Sequence, residues 1–183
     1  TGPVQVNIPR DILAQECNYD EIQKPENYRL NSIPVASSAD IENAFKMITN
    51  AKKPVIIIGG GIKNSEGHSE VLTLAEKLNI PIIMSPGHGD AISFSHPLNA
   101  GQMGPRGNIV ASKLAKEADV ILALGTRLGF NSTFYSYDNI NINALIIQVE
   151  IEPTALGRYF PISIGIWADA KQAAIQLSNC IKD

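Results

Sequence analysis

Four short stretches of this sequence are apolar at nearly every position, and a fifth alternates isoleucine with serine and glycine. Stretches with helical periodicity precede the first of them, separate the first three and follow the last. Pro54–Ile58 is typical, with five apolar residues and no polar alternation. Such a run indicates a strand that is covered on both faces, as in a parallel sheet. The predicted strands are 54–58, 80–84, 119–124, 144–149 and 162–166, and the predicted helices are 37–48, 69–78, 109–118 and 169–181.

The alternation of strands and helices predicts an α/β fold. We expect a doubly wound, Rossmann-like and mostly parallel sheet with helices on both faces. In such sheets ligands bind beyond the carboxyl ends of the strands, at the point where the strand order reverses. The segments predicted at these ends are Gly59–Gly61, Met84–Gly89, Gly125–Gly129 and Glu150–Pro153.

The first part of the chain follows a different pattern. Val4–Ile8 alternates between apolar and polar residues like a strand, and no methionine or apolar leader precedes it. Residues 16–33 show no sustained period and contain Pro25, which indicates a linker. We therefore expect residues 1–33 to be the end of an upstream domain with its linker, and residues 34–183 to form a second domain.

Composition excludes several classes of protein. The chain is 44% hydrophobic and 18% charged, which argues against disorder. A net charge of −3 without a basic stripe argues against nucleic-acid binding, and no apolar run reaches the roughly 18 residues of a membrane span. Cys17 and Cys180 match no metal motif. A disulfide bond between them is an alternative, but two reduced thiols in a cytoplasmic protein are expected.

The glycines after the first strand suggest a phosphate contact. Gly59–Gly61 lie between a predicted strand and the next helix, where bare backbone can approach an anion. The dinucleotide fingerprint needs glycine at its third position, and Asn64 stands there instead. The alternative interpretation is a tight turn without a ligand.

Charged residues follow three other predicted strands. Arg127 could pair with a phosphate or with an acid across its loop. Glu150 and Glu152 could accept ribose hydroxyls or could be solvated. Asp169 could contact a nucleotide, although its position favours an N-cap of the last helix.

The histidines do not complete a catalytic set. His88 and Asp90 are near neighbours in a long loop and could form an acid–base pair, but such a pair is more often structural. The spacings of His68, His88 and His96 match no zinc motif. No catalytic residue and no metal ligand is therefore predicted in this chain.

Several of these segments together resemble the thiamine-diphosphate-dependent enzymes. Residues 2–11 resemble the last strand of their first, pyrimidine-binding domain, and the rest resembles their central domain. The segments that carry the second resemblance are 54–61, 96–107, 119–128, 148–153 and 168–170. The matches cover nearly the whole chain in order.

Within this superfamily the acetolactate synthase-like branch fits best, and the sulfoacetaldehyde acetyltransferases look nearest. Residues 7–11, the pair His88 and Asp90, and Arg127–Gly129 carry that likeness. Acetolactate synthases usually have Phe-Asp-Asp after the arginine, whereas this chain has Leu-Gly-Phe. That departure weakens the expectation of a bound flavin.

The resemblance implies a parent transferase, an acyltransferase that converts sulfoacetaldehyde and phosphate into acetyl phosphate and sulfite. It uses thiamine diphosphate and magnesium at sites outside this chain, so the isolated fragment is expected to be inactive. The alternatives are an acetolactate synthase-like enzyme and a non-catalytic FAD-binding, ADP-binding or scaffolding module.

The resemblance also implies partners and a site. The partners are the flanking pyrimidine-binding and diphosphate-binding domains, in a cytoplasmic homodimer or homotetramer that binds neither nucleic acid nor membrane. The residues it marks for contact with FAD or ADP are Gly60, Gly61, Arg106, Arg127, Glu150, Glu152 and Asp169.

Overall fold

A computed structural model describes residues 3–16, 23–29 and 32–181 of the chain. It divides into two compact units, Thr1–Ser32 and Ile33–Asp183. The first unit contains one short helix, α1 (Arg10–Leu13), and a 3₁₀ turn, Pro25–Asn27. No helix in the described residues is long and apolar enough to cross a membrane.

The second unit contains one sheet and six further α-helices within its described residues. The strands are β1 (Pro54–Ile58), β2 (Ile82–Met84), β3 (Asn99–Gln102), β4 (Val120–Leu124), β5 (Leu145–Glu150) and β6 (Ile164–Trp167). The helices are α2 (Ser38–Thr49), α3 (Gly60–Asn64), α4 (His68–Leu78), α5 (Ile109–Glu117), α6 (Phe130–Thr133) and α7 (Ala170–Asn179).

The sheet confirms the predicted fold class. Its six strands run in the order β3-β2-β1-β4-β5-β6, and every pairing between neighbours is parallel. From β1 the chain first extends the sheet through β2 and β3, and then returns to add β4 on the other side of β1. The switch point of this doubly wound sheet therefore lies between the carboxyl ends of β1 and β4.

The fully apolar strands are covered on both faces, as predicted. Ile56 and Ile58 of β1 belong to a buried cluster with residues of α2, α4 and α7. Val55 and Ile57 point to the opposite face and belong to a second cluster, which includes Ala111 of α5. This two-sided burial explains why β1 carries no polar residue.

Some elements differ from the sequence predictions. β3 was not predicted because its sequence, Asn-Ala-Gly-Gln, has no β-branched residue, and it is a half-buried edge strand. The short helices α3 and α6 were also missed. Val4–Ile8 has no strand assignment, and its apolar side chains are exposed. The segment therefore pairs with no strand of the described residues, and its place as a strand of an upstream domain stays a prediction. Cys17 lies outside the described residues, so its state stays a prediction.

Candidate functional site at the carboxyl edge of the sheet

The glycine turn after β1 packs against the turn after β4. The amide of Gly59 donates to the carbonyl of Leu124 (3.2 Å), and the amide of Gly61 donates to the carbonyl of Gly125 (2.9 Å). A Cβ added to Gly61 would lie 2.5 Å from the Cα of Gly125. Two of the glycines therefore let the two chain segments meet at the switch point, and their amides are already paired.

The middle glycine is covered by a side chain. A Cβ added to Gly60 would lie 3.1 Å from Cε1 and 3.2 Å from Nε2 of His88, which follows β2. The Nδ1 atom of His88 is buried and has no hydrogen-bond partner in the described part of the chain. Asp90 contacts Lys63 of α3 instead of forming the suggested pair with His88, with 2.7 Å between Nζ and Oδ2. The hydrogen bond from Lys63 lowers the pKa of the Asp90 carboxyl.

The loop after β4 presents Arg127 to solvent. Its side chain is exposed and takes part in none of the ion pairs within the described residues. The neighbouring Leu128 is buried and adopts a left-handed conformation with φ of 50°. This conformation turns the leucine into the core while the arginine remains outside.

Sequence reasoning missed Gln148, which supports this loop. Gln148 is buried in β5, where its Nε2 donates to the carbonyl of Thr126 (3.2 Å) and its Oε1 accepts from the amide of Gly157 (2.8 Å). It thus links the loops that follow β4 and β5. The sequence signal that could have identified Gln148 is its single amide side chain within the aliphatic run of β5, because a buried amide needs hydrogen-bond partners.

The two glutamates have different environments. Glu150 is 6% exposed at the end of β5, and its Oε1 accepts from the amide of Ile151 (3.1 Å). Glu152 is exposed, and its Oε1 accepts from the hydroxyl (2.8 Å) and the amide (3.2 Å) of Thr154. These hydrogen bonds lower the pKa of Glu152.

The last two of the seven predicted contact residues are Asp169 and Arg106. Asp169 is the N-cap of α7, because its Oδ1 accepts from the amide of Gln172 at 3.0 Å. Its capping role is therefore confirmed. Arg106 is exposed between β3 and α5, and no described hydrogen bond or ion pair joins it to the other predicted residues.

These residues fit the suggested cofactors unequally. Within residues 3–16, 23–29 and 32–181, no three His, Cys, Asp or Glu side chains are grouped to hold a metal ion. The glycine turn fits a diphosphate poorly, because Gly125 and His88 cover the faces of Gly61 and Gly60. Arg127 and Glu152 remain open to a ligand. Contact of the seven residues with FAD or ADP stays a prediction.

Comparison with known proteins places this geometry in a family. Residues 41–177 match the family model described as thiamine pyrophosphate enzyme, central domain. The chain is 39% identical over 182 residues to a sulfoacetaldehyde acetyltransferase of Castellaniella defragrans, which covers 98% of this chain and 30% of that protein. A second sulfoacetaldehyde acetyltransferase, of Alcaligenes xylosoxydans xylosoxydans, is 38% identical over 184 residues, with 100% and 30% covered.

A relative with a different activity is less similar. A probable acetolactate synthase large subunit of Methanococcus aeolicus is 32% identical over 173 residues, with 93% of this chain and 29% of that protein covered. The chain thus spans about three tenths of the length of these relatives. The residues that match the family model include all six strands of the sheet and the glycine turn at the switch point. The chain belongs to the central-domain family of the thiamine pyrophosphate enzymes.

Proposed function

We propose that this chain is the central domain of a thiamine-diphosphate-dependent acyltransferase that acts on sulfoacetaldehyde. The observation that carries this proposal is the likeness to sulfoacetaldehyde acetyltransferases along 98% of the chain at 39% identity. The likeness to an acetolactate synthase is lower, at 32% identity. The proposed reaction converts sulfoacetaldehyde and phosphate into acetyl phosphate and sulfite.

The chemistry of this reaction lies outside the chain. Thiamine diphosphate, held with magnesium by the flanking domains, supplies the carbon nucleophile. The residues described here provide a rigid parallel sheet, and the interlocked turns after β1 and β4 hold its carboxyl edge in one arrangement. We therefore assign the domain a positioning role and no catalytic residue.

Exposed side chains in the first unit support the proposed partner. Val4, Val6 and Ile8 are 87%, 75% and 56% exposed, although all three are aliphatic. Aliphatic residues that alternate with polar ones are suited to the buried face of a strand in a sheet. We propose that an upstream pyrimidine-binding domain supplies that sheet, in a cytoplasmic homodimer or homotetramer.

The full-length parent enzyme provides the test. Incubated with sulfoacetaldehyde, phosphate, thiamine diphosphate and Mg²⁺, it is expected to form sulfite and acetyl phosphate in equal amounts. Formation of acetolactate from pyruvate, with no sulfite from sulfoacetaldehyde, would assign the parent to the alternative activity. The purified 183-residue chain in the same assay is expected to show no turnover, and any turnover by it contradicts the positioning role.

Nucleotide binding is a second candidate function. It is favoured by the exposed guanidinium of Arg127 after β4 and the exposed carboxylate of Glu152 after β5, since β4 and β5 are neighbouring strands. The predicted residue Glu150 ends β5 and is buried. Calorimetric titration of the purified chain with ADP, FAD and coenzyme A tests it. Binding that is lost in Arg127→Ala and retained in the control Arg158→Ala supports it, and absence of heat with every ligand counts against it.

A further inference from the structure

The space beside a glycine turn decides whether a diphosphate can bind there. In dinucleotide-binding sheets, a missing Cβ lets the backbone approach the pyrophosphate. In this chain a Cβ on Gly61 would meet the Cα of Gly125 at 2.5 Å. The neighbouring strand end therefore already fills the space that this glycine leaves free. Gly60 is the remaining position at which the turn could open.

The imidazole of His88 occupies the space beside Gly60. Its Cε1 and Nε2 atoms lie 3.1 and 3.2 Å from the position that a Gly60 Cβ would take. A Cβ at that position would already require the ring to shift by a few tenths of an ångström. A diphosphate group, which is larger than a methyl group, could lie beside Gly60 only if the ring moved away. The Nδ1 atom of the ring is buried and has no hydrogen-bond partner in the described residues.

An unpartnered buried nitrogen is unfavourable for the fold, so its retention calls for an explanation. The position of the ring over the turn supplies one, since packing there fixes the loop after β2 against the turn after β1. The amide of His88 also donates to the carbonyl of Ser85 at 3.1 Å, which fixes the start of this loop.

The local charge offers little attraction to an anion. Lys63 is the basic residue of α3, and its Nζ lies 2.7 Å from a carboxylate oxygen of Asp90. The carboxylate compensates the positive charge next to the turn, so the local charge adds little to the effect of the ring.

We propose that His88 closes the glycine turn to diphosphate groups and takes the place that a dinucleotide would occupy beside Gly60. A nucleotide held by Arg127 would then bind without contact to the turn. The proposal rests on the geometry of this chain, and it does not depend on the activity of the parent enzyme.

Amide spectra of the ¹⁵N-labelled chain provide the test, with ADP and inorganic pyrophosphate as probes at millimolar concentration. In the wild-type chain the Gly60 signal is expected not to move. In His88→Ala and His88→Gly it is expected to shift saturably with pyrophosphate. The control is His96→Ala, which alters a histidine of the same loop that contacts Glu76 at 3.0 Å, and it should behave like the wild type. A saturable Gly60 shift in the wild type, or none in either His88 variant, would overturn the proposal.

A double-mutant cycle tests the contact without any ligand. Gly60→Ala introduces a Cβ 3.1 Å from the ring, which opposes the better helix propensity of alanine in α3. The factor by which Gly60→Ala raises the unfolding equilibrium constant should therefore be about fivefold or more higher with His88 present than in the His88→Ala background. Equal effects of Gly60→Ala in both backgrounds would show that the ring does not occupy this space. That result would refute the proposal whatever the pyrophosphate titrations show.

Discussion

Gly61 and Gly125 lie back to back at the switch point of the sheet: the amide of Gly61 donates to the carbonyl of Gly125 at 2.9 Å, and neither residue has room for a Cβ. We expect Gly61→Ala to destabilise the chain by about 1–3 kcal/mol, because the new methyl group overpacks a backbone contact. Urea unfolding measures the change. The control is Gly129→Ala, where the Cβ would lie 4.0 Å from the nearest atom, in Tyr159. Equal stability of the two variants would contradict this explanation.

The carboxylate of Asp119 makes the free energy of unfolding of the domain depend on pH in the acid range. It accepts backbone hydrogen bonds from Lys52 (2.7 Å) and Lys53 (2.9 Å). Burial alone would raise the pKa of Asp119, but these bonds outweigh it and lower the pKa. A lowered folded-state pKa gives stabilisation that is complete above the unfolded-state value of about 3.9 and is lost as the pH falls through the folded-state value.

We therefore expect Asp119→Ala to lower the free energy of unfolding by about 1–2 kcal/mol at pH 7, and by less below the folded-state pKa. Urea unfolding across this pH range measures both values. The control Glu117→Gln removes an exposed ion pair with Lys53 and should have little effect at either pH. A loss in Asp119→Ala that does not change with pH would show that the charge is unimportant.

Two substitutions of Asp169 separate its role as the N-cap of α7 from a role in ligand contact. Asp169→Ala removes the acceptor for the amide of Gln172, so we expect a loss of about 1 kcal/mol in thermal or urea unfolding. Asp169→Asn keeps a capping oxygen and should remain near the wild type. If the alanine variant were as stable as the wild type, the cap would not contribute, and a ligand contact would become the better explanation of Asp169.

Gln148 gives a prediction about the loops at the carboxyl edge. Gln148→Leu leaves the amide of Gly157 and the carbonyl of Thr126 without this partner, and should cost about 1–3 kcal/mol in urea unfolding. Gln148→Glu keeps the acceptor for Gly157, but at pH 7 it places an unpaired carboxylate in the core against the carbonyl of Thr126, so it should be no more stable than Gln148→Leu. An unfolding midpoint in Gln148→Leu equal to that of the wild type would mean that the loops are held by other contacts.

Much of the fold could be predicted because its signals are local. The aliphatic run Pro54–Ile58 indicates a strand wherever it occurs, and Asp169 before a helical period indicates a cap. The edge strand Asn99–Gln102 could not be found in this way, since its polar sequence becomes a strand only beside β2. The alternation of Val4–Ile8 indicates a strand, but no partner strand pairs with it among the described residues.

The apolar runs and helical periods suffice to predict the aliphatic strands, the longer helices, the burial of the central strands and where the candidate contacts lie along the chain. What those contacts face depends on how the folded chain packs. The glycines of the turn predict open backbone, yet Gly61 meets Gly125 and Gly60 meets His88, both from other segments of the chain. Such approaches depend on how strands are ordered in the sheet, and no periodicity along one segment records the atoms that a distant loop places beside it.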